Sequence, residues 1–245
     1  MSDQVYGLHA VQSLLEQRAG DIEQLFVQQG RQDKRLQQLV AQAEGAGVSL
    51  QTLPREKLDA MAGGGRHQGV VAQVAERESA YSEKQLPELL ANLPAPALVL
   101  VLDGVTDPHN LGACLRSADA AGVALVIAPK DKSASLNATV RKVACGAAET
   151  VPFVAVTNLA RTLKQLQDAG IWLVGLAGEA EQNLYDVDLS GPIAIVMGAE
   201  GAGLRRLTRE NCDYLAKLPM AGAVSSLNVS VATGVVLFEV VRQRR

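Results

Sequence analysis

Three stretches of this chain place polar side chains where a ligand could meet them. They are Asp107-Pro-His-Asn-Leu-Gly-Ala-Cys-Leu-Arg116, Met197-Gly-Ala-Glu-Gly-Ala-Gly203 and Ser225-Ser-Leu-Asn228. In the first, Asp107 before Pro108 reads as a helix cap followed by a proline at the first helical position. Asn110 falls in the opening turn. Arg116 follows six residues on, roughly 9 Å along the axis at 1.5 Å per residue. Set among Ala, Cys and Leu, its guanidinium either pairs with a neighbour such as Asp119 or grips a phosphate or carboxylate. In the second, Gly198, Gly201 and Gly203 allow backbone to approach a ligand closely. Glu200 between them is either a helix-start carboxylate or a partner for Arg116 or a substrate. The glycine spacing is not that of a dinucleotide fingerprint, and the Gly-Lys-Ser/Thr ending of a phosphate loop is missing. In the third, Ser226 and Asn228 are either plain helix caps or ligand-holding groups.

The elements that position these turns read as α/β. Continuous aliphatic runs at 98–102, 124–128, 151–156, 172–176 and 193–197, with a shorter one near 214–218, predict strands covered on both faces. That is the signature of a mostly parallel sheet. Helices are expected at 108–121, 138–145, 159–169, 204–211 and 226–242. Ligands in such sheets bind beyond the carboxyl ends of the strands, which is where the three turns fall. The last helix is apolar on two sides. Val229, Ala232, Val236 and Val240 line one face; Leu227, Val231, Val235 and Phe238 line the other. Burial is expected on both, against the sheet and against something else, such as a second subunit. Gly234 in its interior predicts close backbone approach.

Residues 1–75 read as a separate small α/β unit. Helices are expected at 5–18, 34–46 and 55–61, with Pro54 at the first helical position of the third, and strands at 25–27, 48–53 and 70–74. His67, after the Gly63–Gly65 turn, is a loop histidine or an RNA contact. Residues 76–96, polar and then interrupted by prolines, read as a flexible linker with one helical turn near 86–93. It predicts a mobile N-terminal unit.

The 245 residues carry a formal net charge of −3, which argues against a protein coated in positive charge. RNA contact would need local clusters. Candidates are Arg31, Lys34 and Arg35; Lys130, Lys132, Arg141 and Lys142; Arg205, Arg206 and Arg209; and Arg242, Arg244 and Arg245. Cys114, Cys145 and Cys212 match no zinc or disulfide spacing and read as reduced core residues of a cytosolic protein. No apolar run reaches membrane-spanning length, and the N-terminus has no signal-peptide shape.

Taken in order, Asp107 to Arg116, Met197-Gly-Ala-Glu-Gly201, and Leu218-Pro-Met with Ser226-Leu-Asn228 resemble the three motifs of the SpoU class of RNA 2′-O-ribose methyltransferases. The resemblance is full length to the branch that methylates a guanosine ribose in 23S rRNA. Tyr6-Gly-Leu-His-Ala-Val is similar to the start of that branch's N-terminal domain, itself like ribosomal protein L30e. The resemblance implies a SPOUT-type fold with a C-terminal trefoil knot at 97–245, an L30e-like RNA-binding domain at 1–75 and a cytoplasmic homodimer. It implies S-adenosyl-L-methionine as cofactor, 23S rRNA as partner, and neither metal nor membrane. Cofactor-binding main chain is implied around Gly198, Leu218 and Leu227, and functional polar residues at Asn110, Arg116, Glu200, Ser226 and Asn228. Two alternatives stay open: the same chemistry on transfer RNA, or a non-catalytic RNA-binding assembly factor.

Overall fold

The structure is a computed structural model that describes residues 3–31, 33–74 and 81–245. The chain begins with β1 (Asp3–Tyr6), α1 (Leu8–Arg18), β2 (Ile22–Gln28), α2 (Lys34–Gly45), β3 (Leu50–Leu53), α3 (Arg55–Met61) and β4 (Val70–Val74). They form a four-stranded sheet in the order β1-β4-β2-β3. Only the β2–β3 pair is parallel. Leu14, Leu25, Leu36 and Val70 fill its core. The first strand was hidden from the sequence reading, which began the helix at residue 5. Gly7, at φ +97°, breaks the chain between strand and helix, so the apolar residues Val5 and Tyr6 belong to the sheet. Pro54 is the cap of α3 and not its first residue.

His67 is neither a free loop side chain nor open to solvent. It is 5% exposed. Its Nδ1 accepts from the Gly69 N–H at 3.0 Å, so its Nε2 carries the proton that faces Asp59 Oδ1 at 2.9 Å. It ties α3 to the turn that leads into β4.

The larger part of the chain holds α4 (Leu86–Ala91), β5 (Leu98–Asp103), α5 (Pro108–Ala120), β6 (Leu125–Pro129), α6 (Ala138–Ala144), α7 (Ala147–Thr150), β7 (Phe153–Val156), α8 (Leu159–Asp168), β8 (Trp172–Leu176), β9 (Gln182–Asn183), β10 (Ile193–Gly198), α9 (Arg206–Asn211), β11 (Tyr214–Lys217) and α10 (Val229–Gln243). The seven strands run in the order β7-β6-β5-β10-β8-β11-β9, every pair parallel. Alternation along β5 divides the core. Leu98, Leu100 and Leu102 face α5 and α10; Val99 and Val101 face α4 and α8. Burial on both faces is why these strands read as unbroken aliphatic runs.

Part of the expected linker, residues 75–80, lies outside the described residues. From Tyr81 onward the segment is anchored. Glu83 accepts from the Thr157 N–H at 3.0 Å, the Thr157 hydroxyl at 2.8 Å and Arg161 at 3.0 Å, and Leu86 is 1% exposed. The N-terminal unit is docked, with β1 against α6 and α1 against α7. The Lys142 ammonium sits 5.6 Å from the centre of the Tyr6 ring, a cation–π contact.

Candidate active site

The third turn is held by one side chain. Asn228 Oδ1 accepts from the Ser230 and Val231 N–H groups and from the Ser230 hydroxyl, so it caps α10. The helix therefore starts at Val229, three residues later than the sequence pattern implied. Ser226 stays in the loop. The amide end of Asn228 points the other way, donating to Glu200 Oε1 at 2.6 Å and to Asn110 Oδ1 at 3.0 Å. One residue thus ties together all three turns. Asn110 is 8% exposed, in the first turn of α5, which Asp107 caps through the His109 N–H at 3.0 Å.

The second turn leaves β10 at Gly198. A Cβ there would lie 2.2 Å from the Gly203 carbonyl carbon, a separation no side chain tolerates. The loop closes on itself through two bonds between Ala199 and Gly203, at 3.0 and 2.9 Å. This small partition separates two cavities. The larger, about 660 Å³, is lined by Gly198, Glu200, Leu218, Ser226, Leu227 and Asn228 among others. The smaller, about 330 Å³, is lined by Gly104, Asp107, Asn110, Lys132 and Arg205 together with Glu200. Both lie beyond the carboxyl ends of the strands, as expected for a parallel sheet. The larger is of a size typical for small-molecule sites.

Of the eight sequence-predicted residues, six meet at the larger cavity and Asn110 reaches them across the partition. Arg116 lines neither cavity. It is exposed, two turns along α5, with Nη1 3.5 Å from Cys145 Sγ. It does not pair with Asp119, which accepts from the Thr150 hydroxyl instead.

Several lining residues escaped the sequence reading. The turn after β8, with Ala177, Gly178 and Glu179, forms a further wall of the larger cavity, and Glu179 pairs with Arg209 there. The strand-end rule applied to 172–176 would have found it. Asp103 escaped because it looked like the end of an apolar run. It is fully buried and pairs with Arg205, Nε to Oδ1, at 3.2 Å.

Several members of the candidate cationic clusters carry ion pairs within the chain. Arg141 pairs with Glu149, Arg206 with Glu210 and Arg242 with Glu239. The cysteines divide as well. Burial, with a smaller push from the Glu200 charge, raises the Cys114 thiol to about 11. Burial, with Asp213 and Asp103, raises Cys212 to about 12. Both stay protonated and inert. Cys145, expected in the core, is exposed instead, because it ends α6 in the left-handed region at φ 53°.

The outer face of α10 is also open. Val231 is 52% and Phe238 50% exposed, while Val236, Leu237 and Val240 on the inner side are fully buried. A Cβ on Gly234 would meet Ser117 Oγ at an ordinary 3.6 Å, so no unusually close approach occurs there. No helix among the described residues is long and apolar enough to cross a membrane.

Residues 97–238 match the SpoU rRNA methylase family, and residues 4–80 match an RNA 2′-O ribose methyltransferase substrate-binding domain. The chain is 59% identical over 244 residues to the 23S rRNA (guanosine-2′-O-)-methyltransferase RlmB of Escherichia coli K12, covering 100% of both chains. It is 61% identical over 242 residues to the protein of the same name from Pseudomonas aeruginosa, covering 99% of this chain and 97% of that one. Among solved structures, the SpoU methyltransferase AviRb of Streptomyces viridochromogenes superposes with a TM-score of 0.83 at 25% identity, covering 99% of this chain and 90% of that one. An AdoMet-bound rRNA methyltransferase from Sinorhizobium meliloti gives 0.79 at 26% identity, covering 98% and 87%. By its sequence and its fold alike, the chain belongs to the SpoU rRNA methylase family.

Proposed function

We propose that this chain transfers a methyl group from S-adenosyl-L-methionine to the ribose 2′-OH of a guanosine in 23S rRNA. The observation that carries the reading is the Asn228 amide, which joins Glu200 and Asn110 at the wall of a cavity large enough for the cofactor. Main chain around Gly198, Leu218 and Leu227 holds the cofactor, and the absence of a side chain at Gly198 lets the loop fold tightly enough to do so. When bound, the cofactor supplies an activated methyl carbon on a sulfonium, so no metal is needed.

The protein's part is alignment and charge. Glu200, Ser226 and Asn228 position the ribose for in-line attack by its 2′-oxygen. A guanidinium, with a pKa above about 12, is a poor base at neutral pH. Arg116 instead binds the phosphate next to the target and stabilises the alkoxide as it develops. The methyl carbon–sulfur bond breaks as the oxygen–carbon bond forms, S-adenosylhomocysteine leaves as a neutral thioether, and the 2′-OH proton passes to water. The exposure of its side chain and the absence of a carboxylate partner among the described residues leave it available.

The same reading makes the larger sheet and its helices a trefoil-knotted catalytic domain and residues 1–75 an L30e-like RNA-binding domain. The protein acts in the cytoplasm as a homodimer, whose second copy covers Val231, Val235 and Phe238 of α10. Arg116→Ala is the test. Methyl transfer to rRNA should be abolished while calorimetric binding of S-adenosylhomocysteine is unchanged. Equal loss of both contradicts the assignment. Cofactor binding by the unaltered protein without any transfer would instead fit a non-catalytic assembly factor.

A further inference from the structure

The smaller cavity is no part of the cofactor site proposed above, yet it is elaborately built. Asp103, buried at the carboxyl end of β5, accepts from the Arg205 backbone N–H at 3.0 Å and faces its Nε at 3.2 Å. Arg205 Nη2 donates to the Asp131 carbonyl at 3.3 Å. Gly104, at φ +89°, leaves the guanidinium its space, since a Cβ there would meet Nη2 at 3.2 Å. The fork is thus held on one side, and Nη1 has no hydrogen-bond partner among the described residues. Lys132 lines the same cavity.

Carboxylates line it too. Asp107 uses Oδ1 to cap α5 and Glu200 uses Oε1 for Asn228. The second oxygen of each has no hydrogen-bond partner among the described residues. A phosphate wants donors only and would be repelled by two carboxylates. A base with both acceptors and donors on its edges suits this lining. Guanine offers O6 and N7 as acceptors and N1–H with a 2-amino group as donors. Adenine, with a donor where guanine has O6, would face the cations wrongly. A volume of about 330 Å³ has room for one such base.

We propose that this cavity receives the base of the target nucleotide and reads it as guanine, Arg205 and Lys132 donating to O6 and N7 and Asp107 accepting from N1–H and the 2-amino group. The base must leave its stack to enter. The inference rests on the proposed function: a ribose at Asn110, Glu200 and Asn228 has the methyl donor on one side of the partition and its base on the other.

The test varies the RNA first. Transcripts would carry guanosine, inosine or adenosine at the methylated position, with kcat/KM read for transfer and cofactor affinity read by calorimetry. Inosine, lacking the 2-amino group, should be about 10-fold poorer and adenosine about 100-fold or more. Asp107→Asn keeps a helix-capping side chain but removes the anionic acceptor. It should bring guanosine and inosine to equal rates with cofactor affinity unchanged. Equal rates on all three transcripts with the unaltered protein, or the same loss on all three with Asp107→Asn, would overturn the base pocket. Absence of cofactor binding or of transfer to guanosine would defeat the proposed function itself, and the pocket with it.

Discussion

The two ends of the seven-stranded sheet use the same kinds of side chain in opposite ways. At the amino end, polar groups satisfy one another. Arg244 donates to the carbonyls of Pro96 and Ala97 at 3.0 Å each, and to those of Leu189 and Gly191. Gln243 accepts from the Leu189 N–H at 2.8 Å and donates to the Val187 carbonyl and to Glu239. At the carboxyl end, Glu200, Asp107 and Arg205 are each half used. Closed networks hold a fold together. Networks held on one side and open on the other present groups to a ligand at little cost in reorganisation. The difference, and not the residue types, separates structure from function here.

Substitutions can break that contrast. The largest effect is expected at the carboxyl end. Gly198→Ala forces a Cβ into the Gly203 carbonyl and should eliminate calorimetrically detectable S-adenosylhomocysteine binding, with a stability loss of about 1–3 kcal/mol from overpacking. Next comes Arg244→Ala, which takes a donor from four carbonyls at the amino end, of which Ala97 keeps the Ile193 N–H. It should cost about 2–3 kcal/mol in denaturant unfolding, while folded protein keeps its transfer rate. A fall in that rate at unchanged stability would reverse the assignment of the two ends. Asn228→Ala belongs to both categories. Loss of the cap should cost about 1 kcal/mol, and loss of the tie to Glu200 and Asn110 should slow transfer by about 10-fold or more.

The smallest effect sharpens the contrast by pH. The Arg242 fork, with Gln243, holds the Glu239 carboxyl down at about 2, against an ordinary 4.5. Its contribution to stability is fully present above about 4.5 and is lost as pH falls through about 2. Acid unfolding of Glu239→Gln should lack that part of the pH dependence, with no change at pH 7 in the rate of transfer per folded molecule.

The sequence revealed the parallel sheet because two-sided burial writes unbroken aliphatic strands. Seven of the eight chosen site residues lie at or beside one cavity because strand-end turns must contain them. It concealed what depends on partners distant in the chain. Nothing local marks Asp103 as the seat of Arg205, 102 positions away, or marks Arg244 as a clamp on the start of β5. The ion pairs within the basic clusters were hidden for the same reason: Arg141, Arg206 and Arg242 look free until their carboxylates are placed. Cys145 looked apolar in sequence, and only the left-handed end of α6 turned it outward.

The partition between the cavities is a five-residue hairpin, Ala199–Gly203, stapled across its base by its own backbone. So short a divider cannot yield to one occupant without shifting toward the other. Cofactor exchange and RNA departure should therefore be kinetically linked, with the spent cofactor leaving at a different rate from a loaded complex than from the bare protein.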